Sequence, residues 1–464
     1  MARFNATVAA ATLTENLAGG EAYSETPELE LASLLLTSFA QDQFYRSADA
    51  TFAQMRGLIR ALPDKRFAAQ AGIFARNEYG MRSITHVCLV ELCQVAKGEK
   101  WLRSAVTAAV RRPDDATEML AYQLATYGKP IPNALKRGIA DALAGFDAYR
   151  LGKYKGDGHK LSLVDAVNLT HPKATPQLSA LMTGTLAAPD TWEVRLTQAG
   201  SDVEAKRKVW ADLLESDSLG YFALLRNLRN ITAQAPDSLP IACKYLVDPE
   251  RIRKSLVLPF RFFTAMRELK LAGVPGFVLG ALSDAMEISL ENVPTLPGRT
   301  LVALDVSGSM RGVFDKAAPF AAALVKRLDS DLLLFDGRGR LCTINPRDTL
   351  SSIVEALTAT FTGGSTDFRI IFALDRPYDR IIILSDMQAW VGYHTPREAH
   401  REYKARTGAD PAIFSFDLQG YGTLQFPEQH VYCMAGFSEK VFDVMATLEE
   451  DRAALVNKIK AVPV

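Results

Sequence analysis

Three short stretches of this 464-residue chain gather oxygen donors of the kind that hold a divalent cation. The first reads Asp305-Val306-Ser307-Gly308-Ser309, the pattern DxSxS. The second is Thr362-Gly363-Gly364-Ser365-Thr366-Asp367, and the third Ile383-Leu384-Ser385-Asp386. Hydroxyl and carboxylate oxygens are hard ligands that suit Mg2+ or Mn2+. Ser307, Ser309 and Thr366 can ligate through their hydroxyls, while Asp305 and Asp386 can ligate directly or hold coordinated waters. So few anions leave the ion electrophilic, with an open position for a carboxylate from a protein ligand. Mg2+ is the expected cofactor and Mn2+ the alternative. DxSxS alone also fits an Asp/Ser cluster at a helix start; three such elements in order argue for a metal.

The arrangement closely resembles the metal-ion-dependent adhesion site (MIDAS) of von Willebrand factor A (vWA) domains. Relatives often read GGTD where this chain reads GGSTD, so Thr366 is the expected ligand and Ser365 the fallback. There is no GxxxxGK[ST] phosphate loop and no evident nucleophile–base pair, so the expectation is a binding protein and not an enzyme. Five dispersed cysteines without a CxxC pair read as buried free thiols in a reducing compartment.

The elements that must position these donors are legible. RTLVALDV, DLLLFD, DRIIILSD and PAIFSFD are short apolar runs, several ending in Asp, with helical stretches such as FDKAAPFAAALVKRL and TPREAHREYKART between them. Buried strands alternating with helices predict a doubly wound, Rossmann-like parallel α/β sheet over residues 298–464. Ligands of such sheets bind beyond the carboxyl ends of the strands, where these Asp and Ser residues fall. Residues 1–295 read differently. Segments such as PELELASLLLTSFA, DKRFAAQAGIFARNEYG and PFRFFTAMRELKLAG carry apolar residues at three- and four-residue spacing, separated by Pro and Gly turn signals. That is the grammar of an α-solenoid of helix pairs, although no fixed period is found. The proline-containing stretch ENVPTLPGRT is the expected linker.

Net charge is +0, which by itself offers nothing to a nucleic acid. The local distribution is uneven: residues 226–270 hold nine basic side chains against four acidic, and residues 1–50 hold two against seven. No apolar run reaches the length of a membrane span, and Arg3, Asn5 and Thr7 interrupt any leader-like core, so a cytoplasmic protein is expected.

A helical-repeat half followed by a vWA half resembles the Ro autoantigen family, whose N-terminal part is the TROVE module, and in particular its bacterial members. The resemblance rests on Lys153-Tyr154-Lys155, on Leu163 to Thr170 leading into His171-Pro172-Lys173, on Leu224-Leu225-Arg226-Asn227-Leu228, and on Leu258-Pro259-Phe260-Arg261-Phe262. It implies a ring of HEAT-like repeats closed through the vWA domain. It also implies an RNA-binding ribonucleoprotein, a monomer, that takes Y-like noncoding RNA and single-stranded 3′ ends of misfolded RNAs. Its role would lie in RNA quality control or turnover alongside an exoribonuclease. Lys153, Lys155, Lys160 and Lys173 can neutralise phosphates. His159 and His171 can donate hydrogen bonds or stack on bases, and Arg226, Arg229 and Arg261 offer planar forks. Two bland alternatives stand: His171 as a packed histidine before a proline turn, and Phe260, Phe262 and Phe263 as core. Gly156-Asp157-Gly158 stands where many relatives are basic. The competing class is a protein-interaction adaptor in which both halves bind proteins and no RNA is involved.

Overall fold

Unbroken apolar runs and period-3.6 apolar patterns sort this chain into strands and helices largely where the sequence places them. The computed structural model describes residues 12–15, 21–24, 26–37, 48–154, 160–345, 347–388, 395–418, 431–435, 442, 445 and 454–464. The chain divides into two units, residues 1–189 with 419–464, and residues 190–418. The change from helical to α/β grammar therefore falls inside the second unit, and the final helix, Ala454–Lys460, belongs to the first.

The first unit is built of antiparallel helix pairs such as Arg66–Glu78 with Ser83–Val95 and Trp101–Ala109 with Asn133–Ala144. Close packing is visible at Gly138, where a Cβ would come 2.7 Å from Val106 Cβ and from the Arg103 carbonyl oxygen. Gln70 Nε2 donates to the carbonyls of Lys460 (2.7 Å) and Val462 (3.0 Å), tying the C-terminal helix to the Arg66–Glu78 helix. A short antiparallel pair, β1 (Thr12–Glu15) and β2 (Glu21–Ser24), lies ahead of the first helix and was not expected from the sequence. Burial pushes the thiols of Cys88 and Cys93 up to about 12, as expected of inert core cysteines, whereas Cys342 is half-buried. Among the described residues no helix is long and apolar enough to cross a membrane.

The second unit begins with helices that include Val203–Glu215, Tyr221–Gln234, Phe260–Leu271 and Gly276–Ser289. It continues with β3 (Thr300–Asp305), β4 (Asp331–Phe335), β5 (Gly339–Cys342), β6 (Arg380–Ser385) and β7 (Ala412–Asp417), in the order β5-β4-β3-β6-β7. Every residue of β3 and β6 is buried, which is why both read as unbroken apolar runs. The sheet is mixed, and this corrects the all-parallel expectation: β5 pairs antiparallel to β4. The turn Asp336-Gly337-Arg338 makes it, with Arg338 N donating to Asp336 Oδ1 at 2.8 Å. An Asp-Gly pair between two strand-forming runs is a hairpin signal. From β3 the chain winds first to β4 on one side and then to β6 on the other, so β3 and β6 flank the switch point where crevices open.

Candidate functional site

Asp305 ends β3, and Asp386 directly follows β6, its parallel neighbour. The second loop, Thr362–Asp367, is docked onto the first by the backbone: Gly308 N donates to Gly364 O at 2.9 Å, and Gly363 N to Val306 O at 3.0 Å. This close approach needs glycine, since a Cβ at Gly364 would lie 2.7 Å from Asp336 Oδ2. Asp336, one residue past β4, accepts a hydrogen bond from Thr362 Oγ1 at 2.5 Å and braces the same loop. The sequence reading missed Asp336, although its place at a strand end was the available signal.

Within this crevice Asp305 is fully buried. Its Oδ1 accepts from Ser307 N at 2.8 Å and its Oδ2 from Ser385 Oγ at 2.6 Å. Ser307 Oγ and Ser309 Oγ are 3.4 Å apart, and Asp386 is hydrogen-bonded by Ser309. Thr366 is buried while Ser365 is exposed, which favours Thr366 over its neighbour as a ligand. Burial, then the charge of Asp386, pushes the Asp305 carboxyl up to about 7; burial pushes Asp386 up to about 6. Asp386 Oδ2 is buried with no hydrogen-bond partner among the described residues. Two buried carboxylates that repel one another, one with an orphaned oxygen, beside converging hydroxyls, suit a divalent cation. Among the described residues no three His, Cys, Asp or Glu side chains cluster, so this donor set rests on hydroxyls as much as on anions.

The basic candidates fall into two separate places. Lys153 and Lys160 are exposed and line a recess of about 400 Å3 in the first unit together with Asp114, Glu118 and Tyr154. Its acids are already engaged: Arg82 and Arg112 hold Asp114 at 2.9 and 2.6 Å, and His86 Nδ1 lies 2.9 Å from Glu118. Tyr154 packs under Arg112, whose Cζ is 4.2 Å from the ring centre. Lys155 and His159 lie outside the described residues. Lys173 is exposed. His171 caps the Leu163–Thr170 helix in the left-handed region (φ 52°) and its side chain is exposed, so it is not a packed histidine.

In the second unit Arg226, Arg229 and Arg261 converge. Together with Phe222, Asn230 and Glu268 they line a cleft of about 730 Å3 between the Tyr221–Gln234 and Phe260–Leu271 helices. Residues 222, 226, 229 and 230 follow one stripe of the first helix, and 261, 264, 265 and 268 one stripe of the second. Phe262 is fully buried, as the core reading of the Phe260–Phe263 cluster expects. Asn227 is buried inside the helix and donates to Ala223 O at 2.9 Å. Phe222 and Asn230 were missed, although their four-residue spacing from Arg226 carried the signal.

A TROVE domain family model matches residues 180–273, and a Ro60 vWA domain model matches residues 299–448, together just over half of the chain. The RNA-binding protein RO60 of Deinococcus radiodurans is 25% identical over 477 residues, covering 87% of this chain and 88% of that protein. Both halves of the chain are thus similar to Ro proteins. The crystal structure of the Deinococcus radiodurans RO (RSR) protein shares the fold, with a TM-score of 0.64 over 93% of this chain and 100% of that chain at 22% identity. Rat telomerase protein component 1 is 26% identical over 142 residues, 29% of this chain but only 5% of that protein. Neither matching family, nor the RO60 relative, is named for a reaction. The TROVE match takes in both arginine-bearing helices and stops short of Lys153, Lys160, His171 and Lys173. The vWA match contains all five candidate metal ligands.

Proposed function

We propose that this protein binds RNA, and that the arginine cleft of the second unit is a principal contact. The observation that carries the reading is the convergence of Arg226, Arg229 and Arg261 on one cleft within the TROVE-matched segment. Guanidinium forks suit phosphate oxygens and base edges, and three of them face a single carboxylate, Glu268. The relative named an RNA-binding protein supports the same reading. The RNAs that fit are Y-like noncoding RNAs and structured RNAs with single-stranded 3′ ends, held as a cytoplasmic ribonucleoprotein by a monomer. The proposed role is RNA quality control or turnover, with an exoribonuclease as the processing partner. The vWA crevice complements this as a docking point: Asp305, Ser307, Ser309, Thr366 and Asp386 would hold Mg2+, which supplies a Lewis-acidic position for a partner's carboxylate. The sequence offers no evident nucleophile–base pair, so the proposed role is adhesion and not hydrolysis.

Protein purified from its own cells should carry nucleic acid, seen as a high 260/280 nm absorbance ratio that falls after ribonuclease. A ratio typical of bare protein, with no RNA recovered by crosslinking, would leave the adaptor reading in its place. For the metal, Asp305→Ala should abolish Mn2+ or Mg2+ binding in titration calorimetry while the helical circular dichroism is kept. Undiminished binding would remove the ligand assignment.

A further inference from the structure

We propose that the cleft between the Tyr221–Gln234 and Phe260–Leu271 helices seats one unpaired nucleotide, its base stacked on Phe222 and its phosphates held by the arginines. This rests on the RNA reading above and makes it specific. Phe222 is 40% exposed at the wall of a cleft whose lining also includes Leu225, Leu228 and Leu269, so an aromatic face is offered to solvent beside the arginines. Arg226 lies one helical turn further on, about 6 Å along the axis, the scale of a single nucleotide. Its guanidinium is exposed and has no ion-pair or hydrogen-bond partner among the described residues. Among the described residues Arg229 pairs with Glu268 alone, at 4.0 Å with both side chains exposed, a pairing that solvent largely screens. The cleft volume, about 730 Å3, falls within the range of small-molecule sites.

Asn230 completes the arrangement. Its Nδ2 donates to Asn227 Oδ1 at 3.0 Å, and buried Asn227 is itself anchored to the Ala223 carbonyl. Held from behind in this way, Asn230 keeps its own carbonyl oxygen to accept from an exocyclic amine on a base edge. Phe222, Arg226, Arg229 and Asn230 thus place a π-face, cations and an amide along one helix stripe. Stacking on an aromatic needs a base whose face is free, which a paired and stacked base in a duplex does not offer. An acidic peptide would meet the same arginines but would leave Phe222 without a partner.

The test compares two ligands of the full-length protein by filter binding: a hairpin RNA with a single-stranded 3′ tail, and the same RNA with an abasic tail. The abasic tail keeps the phosphates and removes the bases. Wild type should prefer the intact tail by about tenfold, within the range of one stacked base. Phe222→Ala should lose that preference with its salt dependence unchanged, and Phe222→Trp should keep it. A Phe222→Ala variant that retains the full preference would overturn the seat on Phe222 while leaving RNA binding intact. Wild type with no preference would overturn base recognition and leave the cleft to phosphates or an acidic peptide. Wild type that binds neither RNA would overturn the RNA reading itself.

Discussion

The lysine recess of the first unit and the arginine cleft of the second are both basic by sequence, yet the fold treats them differently. Lys153 and Lys160 share their recess with Asp114 and Glu118, two charges against two. Arg226, Arg229 and Arg261 share theirs with Glu268 alone, three against one. The first recess borders an ionic cluster that the fold needs for itself. Arg76 Nη2 is 2.8 Å and Arg82 Nη2 2.9 Å from Asp115, which is fully buried. Buried charges of that kind organise packing and are costly to separate, whereas the guanidinium groups of Arg226, Arg229 and Arg261 are exposed to solvent. Local charge counts along a sequence cannot distinguish these cases, because the compensating acids come from elsewhere in the chain.

The largest expected difference between the two places comes from charge reversal. Arg226→Glu with Arg261→Glu should weaken binding of a tailed RNA by about 100-fold, since attraction to phosphate becomes repulsion. Lys153→Glu with Lys160→Glu should cost only a few-fold, because that recess is already balanced. Filter binding at fixed salt measures both, and equal losses would erase the distinction.

Next in size is a stability effect confined to the first recess. Asp115→Ala strands Arg76, leaves Arg82 and His86 to Asp114 and Glu118, and also removes the acceptor for the Arg111 and Arg112 amides. Removing one partner of a buried ionic cluster costs about 3–5 kcal/mol. Urea unfolding should show that loss, while RNA affinity under folding conditions stays within a few-fold of wild type. A collapse of RNA affinity in folded Asp115→Ala protein would tie RNA to the wrong side of the comparison.

A smaller, pH-dependent effect sharpens the same point. Burial opposes charge on His86, but Asp115 at 3.2 Å and Glu118 at 2.9 Å outweigh it and raise its pKa. A raised folded-state pKa contributes stability fully present below the unfolded value of about 6.5 and lost as pH rises through the folded value. Asp115 runs the other way: burial would raise it, yet His86 and Arg76 hold it well below the usual carboxylate range. Its contribution is present above about pH 4 and fades as pH falls. The gap in urea midpoint between wild type and His86→Gln should therefore be widest near about pH 5–6 and close at alkaline pH. A gap that grows with pH would contradict the charged-histidine account.

The vWA crevice was legible in the sequence because buried parallel strands are continuous apolar runs, and Asp305 and Asp386 mark where two of them stop. Ser307, Ser309 and Thr366 followed from glycine-rich loops that only a strand-end crevice would use. The hairpin β4–β5 was signalled by Asp336-Gly337 and passed over, because one polar strand, with three exposed residues in four, lacks an apolar run. The arginine cleft was half legible. Helical spacing groups Phe222, Arg226, Arg229 and Asn230 on one face, but nothing local shows that Arg261 arrives from a helix some 30 residues later. Nor does the sequence show Asp114 and Glu118 beside Lys160, more than 40 positions on, so the lysines read like the arginines.

The central claim is that RNA phosphates are held by the arginine cleft, and salt dependence tests it most directly. On single strands each neutralised phosphate contributes a slope of roughly −0.7 in log affinity against log salt. If all three arginines contact phosphate, replacing Arg226, Arg229 and Arg261 by alanine should flatten the wild-type slope by about two units. The matching alanine replacement of Lys153, Lys160 and Lys173 should change it by less than about one. A triple arginine variant with the wild-type slope, beside a lysine variant that flattens it, would contradict the account.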